Sequence, residues 1–380
     1  PFGSGVAGGI GFRFGDMLGH RSLTVSVQAQ GSFRDIGGGV SYVNRRGQLN
    51  WGGALSHTPL IFSANTFADR DAETGQLRGV ASVVQRAYIT SANGTVSYPL
   101  SPTRRFEFGL GGTRYGFGTN VRTAGAFADS TLTRIERLIG DRDPKYLATG
   151  RAAYVRDFTT NGLTGPLRGG RWRLEIAPTV GTQNFVTARA DLRRYVYAEP
   201  VTLAFQALHV GNYGASFSDE FGVGNEYIGS PYGQGFVRGY SVQSIANGIR
   251  ENGGCTTVEG DPTRSRCAEI DRLYGTRAVT TRAEVRIPLL GPERLSLIPF
   301  RYLPTTLAPF IDAGVTWTGD QAPVLAFETE SPDTNIPVVS TGVAARFNIL
   351  GSFLLEAYYA RPFQRRDTTW ELGFRVSPGF

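Results

Sequence analysis

The side chains with the clearest chemistry are one arginine and two carboxylates in the C-terminal half of the chain. Arg238 lies in the glycine-rich stretch GQGFVRGYSV, and Glu284 and Asp312 follow in RAEVRIP and PFIDAGVTW. An arginine and a carboxylate form a charge-assisted pair with a specific geometry. Because an unpaired buried charge is strongly disfavoured, an enclosed Arg238 requires acids such as these. The three residues predict a buried ion pair, which implies an anchor and not catalysis.

The sequence contains no recognisable catalytic constellation. The histidines His20, His57 and His209 are scattered over separate segments, without the spacing of metal ligands. Neither a G-x-S-x-G elbow nor a phosphate-binding loop is present, and no Ser/His/Asp set is brought together by the expected strands. The sequence therefore predicts a protein that is not an enzyme and that needs no cofactor or metal.

The two cysteines, Cys255 and Cys267, lie close together among polar residues. Their spacing lacks the second pair, or the histidines, that a zinc site would need. A disulfide formed in an oxidising compartment is the favoured interpretation, and two unrelated reduced thiols are the alternative.

The positive charge is carried almost entirely by arginine and is spread along the chain. The net charge is +7 with a single lysine, Lys145, and arginines recur at alternate positions, as in Arg171 and Arg173. Nucleic-acid-binding proteins usually concentrate their charge in runs or on one helix face, so this pattern argues against such a partner. It suits a polar barrel lining or contact with anionic lipid headgroups.

Strict alternation of apolar and polar residues indicates β-strands. In TTWELGFRVSPGF the residues Trp370, Leu372, Phe374, Val376 and Phe380 fall on one face, and polar residues fall on the other. Several such segments are about ten residues or longer, the length that crosses a bilayer at a tilt. With 50 glycines and 12% aromatic residues in 380, the composition also favours an all-β protein.

The alternating segments predict one domain, residues 1–380, that forms an antiparallel transmembrane β-barrel of about sixteen strands. The predicted strand starts are near residues 5, 21, 35, 48, 79, 94, 104, 145, 171, 185, 200, 273, 306, 338, 352 and 368. A long loop at 214–272 lacks alternation but is rich in aromatic residues, including Phe236 and Tyr240. Since such residues need a packing surface, we expect this loop to fold into the barrel lumen.

Three segments resemble the motifs of one family. Phe236-Val237-Arg238-Gly239-Tyr240 resembles the VRGF/Y signature in the sixth extracellular loop of the BamA/TpsB superfamily of outer-membrane assembly and secretion barrels. Phe310-Ile311-Asp312-Ala313-Gly314 is similar to the F-x-D-x-G motif of that family, and Ala283-Glu284 with Ile287-Pro288 is similar to its preceding strand. The order and spacing match from the loop to the terminal aromatic residue.

The resemblance implies a location in the bacterial outer membrane and a role for each motif. Val237, Arg238, Gly239 and Tyr240 would latch the loop onto a lumen wall that contains Glu284, Phe310, Asp312 and Gly314. Trp370, Phe374 and Phe380 would form the C-terminal strand signal, and the first and last strands would meet at a weak seam. Gly239 would let the backbone approach the wall, with a flexible filler as the alternative.

The resemblance also implies a function and a class of partner. Family members insert or translocate proteins, so the expected partners are outer-membrane lipids and client polypeptides or other envelope proteins. The chain opens at Pro1 with barrel-like sequence, so we expect the periplasmic POTRA domains to be absent from it. This expectation keeps two alternatives open: a barrel that anchors a periplasmic or partner domain, and a passive pore.

Overall fold

The computed structural model is built from long β-strands and divides into two compact units. Unit 1 comprises Pro1–Pro99, Phe106–Ala152 and Ala177–Asn184, and unit 2 comprises Leu100–Arg105, Ala153–Ile176 and Phe185–Phe380. Whether the chain behaves as a single domain stays a prediction. The structure describes residues 7–30, 35–70, 77–126, 132–139, 143–214, 226–230, 235–241, 244–245, 256–258, 261–266, 268–293, 295–319, 322–327, 334–349, 351, 353–365 and 370–378.

The strands of unit 1 form antiparallel ladders between chain neighbours. Their bounds are β1 Ala7–Gly15, β2 Arg21–Gln30, β3 Ile36–Asn44, β4 Asn50–Arg70, β5 Leu77–Ser101, β6 Arg104–Ala126, β7 Leu132–Ile139 and β8 Lys145–Asp157. Residues 100–101 of β5, 104–105 of β6 and 153–157 of β8 belong to unit 2. Each of β1 to β4 pairs with the strand that follows it, and β6 pairs with β7. Because the links are short, each strand turns back directly beside the one before it.

One predicted strand boundary in unit 1 is wrong. The division expected between Ser91 and Gly94 lies inside β5, which runs for 25 residues. Its ladder with β4 extends from Asn50↔Ser97 to Arg70↔Leu77, and the Ser56 and Ser91 hydroxyls meet across it at 2.8 Å. The small polar residues resemble a turn signal, but a continuous partner strand holds them in the ladder. The predicted starts at 79 and 94 thus belong to one strand, and the count of sixteen is not confirmed.

Unit 2 contains the strands that carry the predicted motifs. Their bounds are β9 Thr160–Asn161, β10 Pro166–Gly181, β11 Phe185–Ala198, β12 Val201–Gly214, β13 Glu226–Tyr227, β14 Thr256–Val258, β15 Asp261–Arg266, β16 Tyr274–Gly275, β17 Arg277–Gly291, β18 Ile298–Pro299, β19 Thr305–Trp317, β20 Val338–Ile349, β21 Phe353–Pro362 and β22 Glu371–Pro378. Antiparallel ladders join β11, β12, β17, β19, β20, β21 and β22 in that order. The long loop is inserted between β12 and β17.

The loop has local structure of its own. Strands β14 and β15 form a small hairpin, β13 pairs with β16, and a single helical turn, α1, spans Ala268–Asp271. In the described residues no helix has both the length and the apolar character needed to cross a membrane. The described part of the loop meets the strands in two apolar clusters: Ile228, Val237, Tyr240, Ile245, Leu273, Ala278 and Val338, and Phe236, Ala308, Phe310, Ala344, Tyr358 and Ala360.

The side-chain distribution is inverted relative to that of a water-soluble sheet. On β22, Leu372, Phe374 and Val376 are each at least 60% exposed, whereas Arg346 and Glu356 on β20 and β21 are 6% exposed. In unit 1, Phe106, Phe108 and Leu110 on β6 are between 40% and 76% exposed. We refer to these faces as the outward and inward faces of each unit. An apolar outward face with a polar inward face is typical of barrels in lipid.

Unit 1 contains a buried ion pair that the sequence analysis did not identify. The Arg86 Nε donates to Asp35 Oδ1 at 2.6 Å and its Nη2 donates to Asp35 Oδ2 at 3.3 Å. Both side chains are at most 4% exposed. Since Asp35 precedes β3 and Arg86 lies on β5, the pair joins parts of the sheet that are distant in sequence.

We expect Asp35→Ala to destabilise the folded protein by about 3 kcal/mol, because it leaves the Arg86 charge buried without its carboxylate. The free energy of unfolding is measured by denaturant titration. Arg13→Met, at an exposed arginine of β1, serves as the control and should change stability little. Adding Arg86→Met to Asp35→Ala should restore part of the loss. An unfolding free energy unchanged in Asp35→Ala would contradict the assigned pair.

Candidate functional site

The loop presents Arg238 at the tip of a tight turn. The amide of Tyr240 donates to the carbonyl of Val237 at 3.2 Å, and Gly239 between them has a φ of +89°. This positive φ at the third residue of the turn favours glycine. A Cβ at Gly239 would also lie 3.4 Å from Ala360 and Pro362 of β21. Gly239 therefore lets the turn lie directly against the strand.

Arg238 is fully buried and is held by the carboxylate of Asp312. Its Nε and Nη2 donate to the two Asp312 oxygens at 2.7 Å each, and its backbone amide donates to Oδ2 at 3.3 Å. The Arg238 Nη2 also lies 3.0 Å from Glu284 Oε1. The guanidinium carbon is 3.4 Å from the centroid of the Phe310 ring, so the wall supplies both charge and an aromatic face. The structure thus brings Arg238, Asp312, Glu284 and Phe310 together.

Three further charged residues extend the network around these groups, and a fourth, Arg286, donates to Glu284 at 3.0 Å. Arg346 donates to both oxygens of Glu284, at 2.9 and 2.6 Å, and its Nε donates to Glu356 at 2.6 Å. Arg282 donates to Asp312 at 3.1 Å and to the carbonyl of Phe236 in the loop at 2.8 Å. We call Arg238, Arg282, Glu284, Asp312, Arg346 and Glu356 the latch cluster. Each carboxylate faces at least two guanidinium groups, which offsets the cost of burial.

Strand register explains why these residues meet. Arg282 is paired with Asp312 between β17 and β19, and Arg346 is paired with Glu356 between β20 and β21. All of these residues occupy inward positions of adjacent strands. The alternation in sequence indicated this face for each strand, but Arg346, Glu356 and Arg282 were not identified as partners of Arg238. The sequence pattern shows that these residues lie on the polar face. It does not show the strand register that pairs them.

Gly314 makes room for the loop rather than contacting Arg238. A Cβ at this position would lie 2.7 Å from Val237 Cγ2 and 3.0 Å from Ile228 Cδ1. Val237 is also tied back within the loop, since its amide donates to the Ile228 carbonyl at 3.0 Å. The last residue of the F-x-D-x-G segment therefore has a packing role beside the charged one of Asp312.

A second group of contacts ties the loop to the last two strands. Glu371, the first residue of β22, accepts from the hydroxyls of Ser241 and Ser244 at 2.9 and 2.6 Å. Arg365 is buried, pairs with Glu371 at 3.0 Å and donates to the carbonyl of Gly239 at 3.0 Å. It also contacts the Ser244 hydroxyl. We call Ser241, Ser244, Arg365 and Glu371 the second anchor, which the sequence analysis did not predict.

Tyr240 joins the two groups of contacts. Its hydroxyl lies 3.1 Å from the Val339 carbonyl and 2.9 Å from Gln364 Oε1, and it accepts from the Gln364 amide at 2.9 Å. Burial raises the pKa of this hydroxyl above its usual value, which keeps it protonated as a donor. Burial lowers the pKa of Arg238, but the charge of Asp312 outweighs it, and the net pKa is raised. Arg238 is therefore a permanent cation.

The remaining predicted residues belong to the C-terminal segment and to the long loop. Trp370 stacks on Tyr359 with ring centroids 4.8 Å apart, and Phe374 lies on the outward face of β22. Phe380, Cys255 and Cys267 lie outside the described residues, so the terminal aromatic and the disulfide stay predictions. Among the described residues, no group of three His, Cys, Asp or Glu side chains is arranged to hold a metal.

We expect Arg238→Ala to release the loop, because it removes the cation that the Asp312 and Glu284 carboxylates surround. Loss of one partner from such a pair costs about 3–5 kcal/mol. The measurement is limited proteolysis of the folded protein, with new cleavage expected between residues 214 and 272. Arg238→Lys keeps the charge without the bidentate geometry and should give intermediate protection. Arg301→Ala, at an exposed arginine of unit 2, is the control. Unchanged protection in Arg238→Ala would show that this arginine is not the anchor.

We expect Glu371→Gln to loosen the start of β22, since Arg365 then loses its ionised partner. The lost charge-assisted contacts correspond to about 2 kcal/mol. Hydrogen–deuterium exchange should rise roughly tenfold or more in a peptide covering residues 364–376. Glu293→Gln, at an exposed carboxylate of unit 2, provides the control. Equal exchange in Glu371→Gln and wild type would show that Glu371 does not hold the start of β22.

Comparisons with known proteins identify the fold. No protein-family profile matches the chain, and no curated protein sequence matches it. The structure is similar to BamA from Haemophilus ducreyi lacking POTRA domains 1–3, with a TM-score of 0.60 and 16% identity over 98% of this chain and 69% of that chain. It is also similar to CdiB from Acinetobacter baumannii, with a TM-score of 0.54 and 13% identity, and to CdiB from Escherichia coli, with a TM-score of 0.55 and 12% identity.

The chain spans less than two thirds of the length of the two CdiB proteins. Both comparisons cover 98% of this chain, but only 56% and 59% of the CdiB chains. At such low identity the likeness concerns the fold. The resemblance inferred from the loop and strand motifs is confirmed at that level: this chain has the all-β, antiparallel barrel fold of BamA and CdiB.

Proposed function

We propose that this chain is an outer-membrane barrel that takes part in inserting or translocating proteins at the bacterial outer membrane. The observation that carries this proposal is the latch cluster, in which a loop arginine is fully buried against the carboxylates of neighbouring strands. The likeness to BamA and CdiB over 98% of the chain supports the same assignment. The proposed clients are other polypeptides of the envelope, and the proposed role is non-enzymatic.

The apolar outward faces support a location in a membrane. Exposed leucine, phenylalanine, isoleucine and valine side chains on β10, β11, β17, β19 and β22 would be unfavourable in water. In hydrocarbon the same side chains are satisfied, and the described ladders pair the backbone groups of neighbouring strands. The outer membrane is the proposed location because single-chain barrels of this kind are characteristic of it.

The two groups of loop contacts supply a mechanism for the proposed function. The latch cluster fixes the loop to β17, β19, β20 and β21, and the second anchor fixes it to the start of β22. Movement of the loop would therefore displace the start of β22, the last strand, where the family resemblance places a seam. We propose that a client strand engages at this seam while the anchored loop keeps β17 to β22 in register.

The proposed function is tested with the full-length polypeptide reconstituted in liposomes. We expect these liposomes to accelerate the folding of an added barrel client or to admit an unfolded partner, and Arg238→Ala to reduce that activity. Arg301→Ala should retain it. If wild-type liposomes neither fold nor admit any tested client, the proposal fails.

A passive pore and a structural anchor predict other outcomes of the same preparation. Steady large conductance in planar bilayers from the intact protein would favour a pore. Client-independent binding of a separate periplasmic domain, without insertion activity, would favour the anchor. The buried loop contacts weigh against a pore, because Arg238, Phe236 and Tyr240 occupy space against the inward face of unit 2.

A further inference from the structure

Two arginines on the outward face of unit 2 surround one aromatic ring. Arg156 is the penultimate residue of β8, and Arg194 lies on β11 between the exposed Leu192 and Val196. Their guanidinium carbons lie 4.9 and 5.9 Å from the centroid of the Phe158 ring. The Arg156 carbon is also 5.2 Å from the centroid of Trp172 on β10. Four side chains from three segments thus form one cationic and aromatic frame.

This frame has an excess of positive charge. Neither guanidinium has an ion-pair partner within the part of the chain that the structure describes, and the Nε of Arg156 is buried without a hydrogen-bond acceptor. The adjacent Asp157 faces another cation, since the Nε of Arg171 lies 3.8 Å from its Oδ2, and its Oδ1 accepts from the amide and hydroxyl of Thr159 at 3.2 and 2.7 Å. Two like charges beside one ring repel each other, and an external anion between them would relieve that repulsion.

An apolar groove begins beside the frame. Arg194 is paired with Phe205, Phe205 with Ala283, and Ala283 with Ile311, so these four residues form one row across β11, β12, β17 and β19. With Trp172, Leu192 and Ala207 they line a groove of about 370 Å³. Leu192, Phe205 and Ile311 are between 43% and 57% exposed. The groove therefore offers apolar surface directly next to Arg194 and Trp172 of the frame.

We propose that this frame and groove bind a phospholipid. The phosphate of the headgroup lies between Arg156 and Arg194, and an acyl chain lies along Leu192, Phe205 and Ile311. Arginine with aromatic neighbours at the edge of an apolar band is the composition that membrane interfaces favour. The combination of an anion site with an apolar groove matches an amphiphile better than it matches an acidic peptide. This proposal rests on the membrane location given under the proposed function.

The test uses the folded protein in detergent, titrated with dimyristoylphosphatidylglycerol and observed by native mass spectrometry. We expect saturable binding of one lipid. Arg156→Gln and Arg194→Gln should each weaken it about fivefold, and the double variant about thirtyfold, the factor supplied by two cationic contacts at a membrane surface. Arg301→Gln is the control and should bind as wild type does. Equal binding by the wild type and the double variant would overturn the proposal.

A second variant separates the groove from the headgroup frame. Ala207→Trp fills the groove while leaving both arginines in place, and it should weaken the lipid without changing the binding of glycerol phosphate. If glycerol phosphate binds as tightly as the lipid, the site binds free anions. If an acidic peptide binds more tightly than the lipid, the site binds proteins. Either result overturns the lipid assignment. If the protein binds the lipid but has no insertion activity, the proposed function is refuted and the lipid site stands. A wild-type protein that does not enter vesicles would overturn both.

Discussion

The full burial of the Arg238 charge is the constraint on which the loop and its wall depend. A guanidinium with no access to water must have its charge offset by the protein, because the alternative costs several kilocalories per mole. Asp312 meets this requirement with two short bonds, and Glu284 adds a second carboxylate. The acids then need cations of their own, which Arg282 and Arg346 supply. One buried charge thus fixes residues on the loop and on four strands.

The inverted arrangement of side chains makes such a cluster possible. Because the outward face takes the apolar residues, the inward face is left to glycine, threonine and charged residues, which cannot form an ordinary apolar core. The loop brings Phe236 into an apolar cluster with Ala344 and Ala360 on that face. Val237 and Tyr240 join a second cluster there that includes Val338. The ion pairs fix the orientation of the loop against the strands, since bidentate geometry allows little rotation. Packing and charge are therefore satisfied in the same place.

The arginines of unit 2 make different contacts on its two faces. Inward arginines such as Arg346 are neutralised within the protein by carboxylates on neighbouring strands. Outward arginines such as Arg156 and Arg194 contact aromatic rings and have no carboxylate partner among the described residues. An excess of arginine over lysine suits both settings, because the planar guanidinium makes bidentate pairs and also stacks on rings. The composition alone does not distinguish the inward arginines from the outward ones.

The sequence by itself determined the strand type, the face of each side chain and the identity of the principal pair. Alternation of period two assigns Glu284, Asp312 and Phe374 to their faces with no knowledge of neighbours, because it is a local property of the extended backbone. Only the tertiary structure decided which residues meet: Arg346 with Glu356, Arg365 with Glu371, and Arg156 with Arg194 around Phe158. It also joined the segments on either side of Ser91 into one strand. Such pairings depend on strand register and on the path of a long loop, which are set by the sum of many distant contacts and leave no local pattern in the sequence.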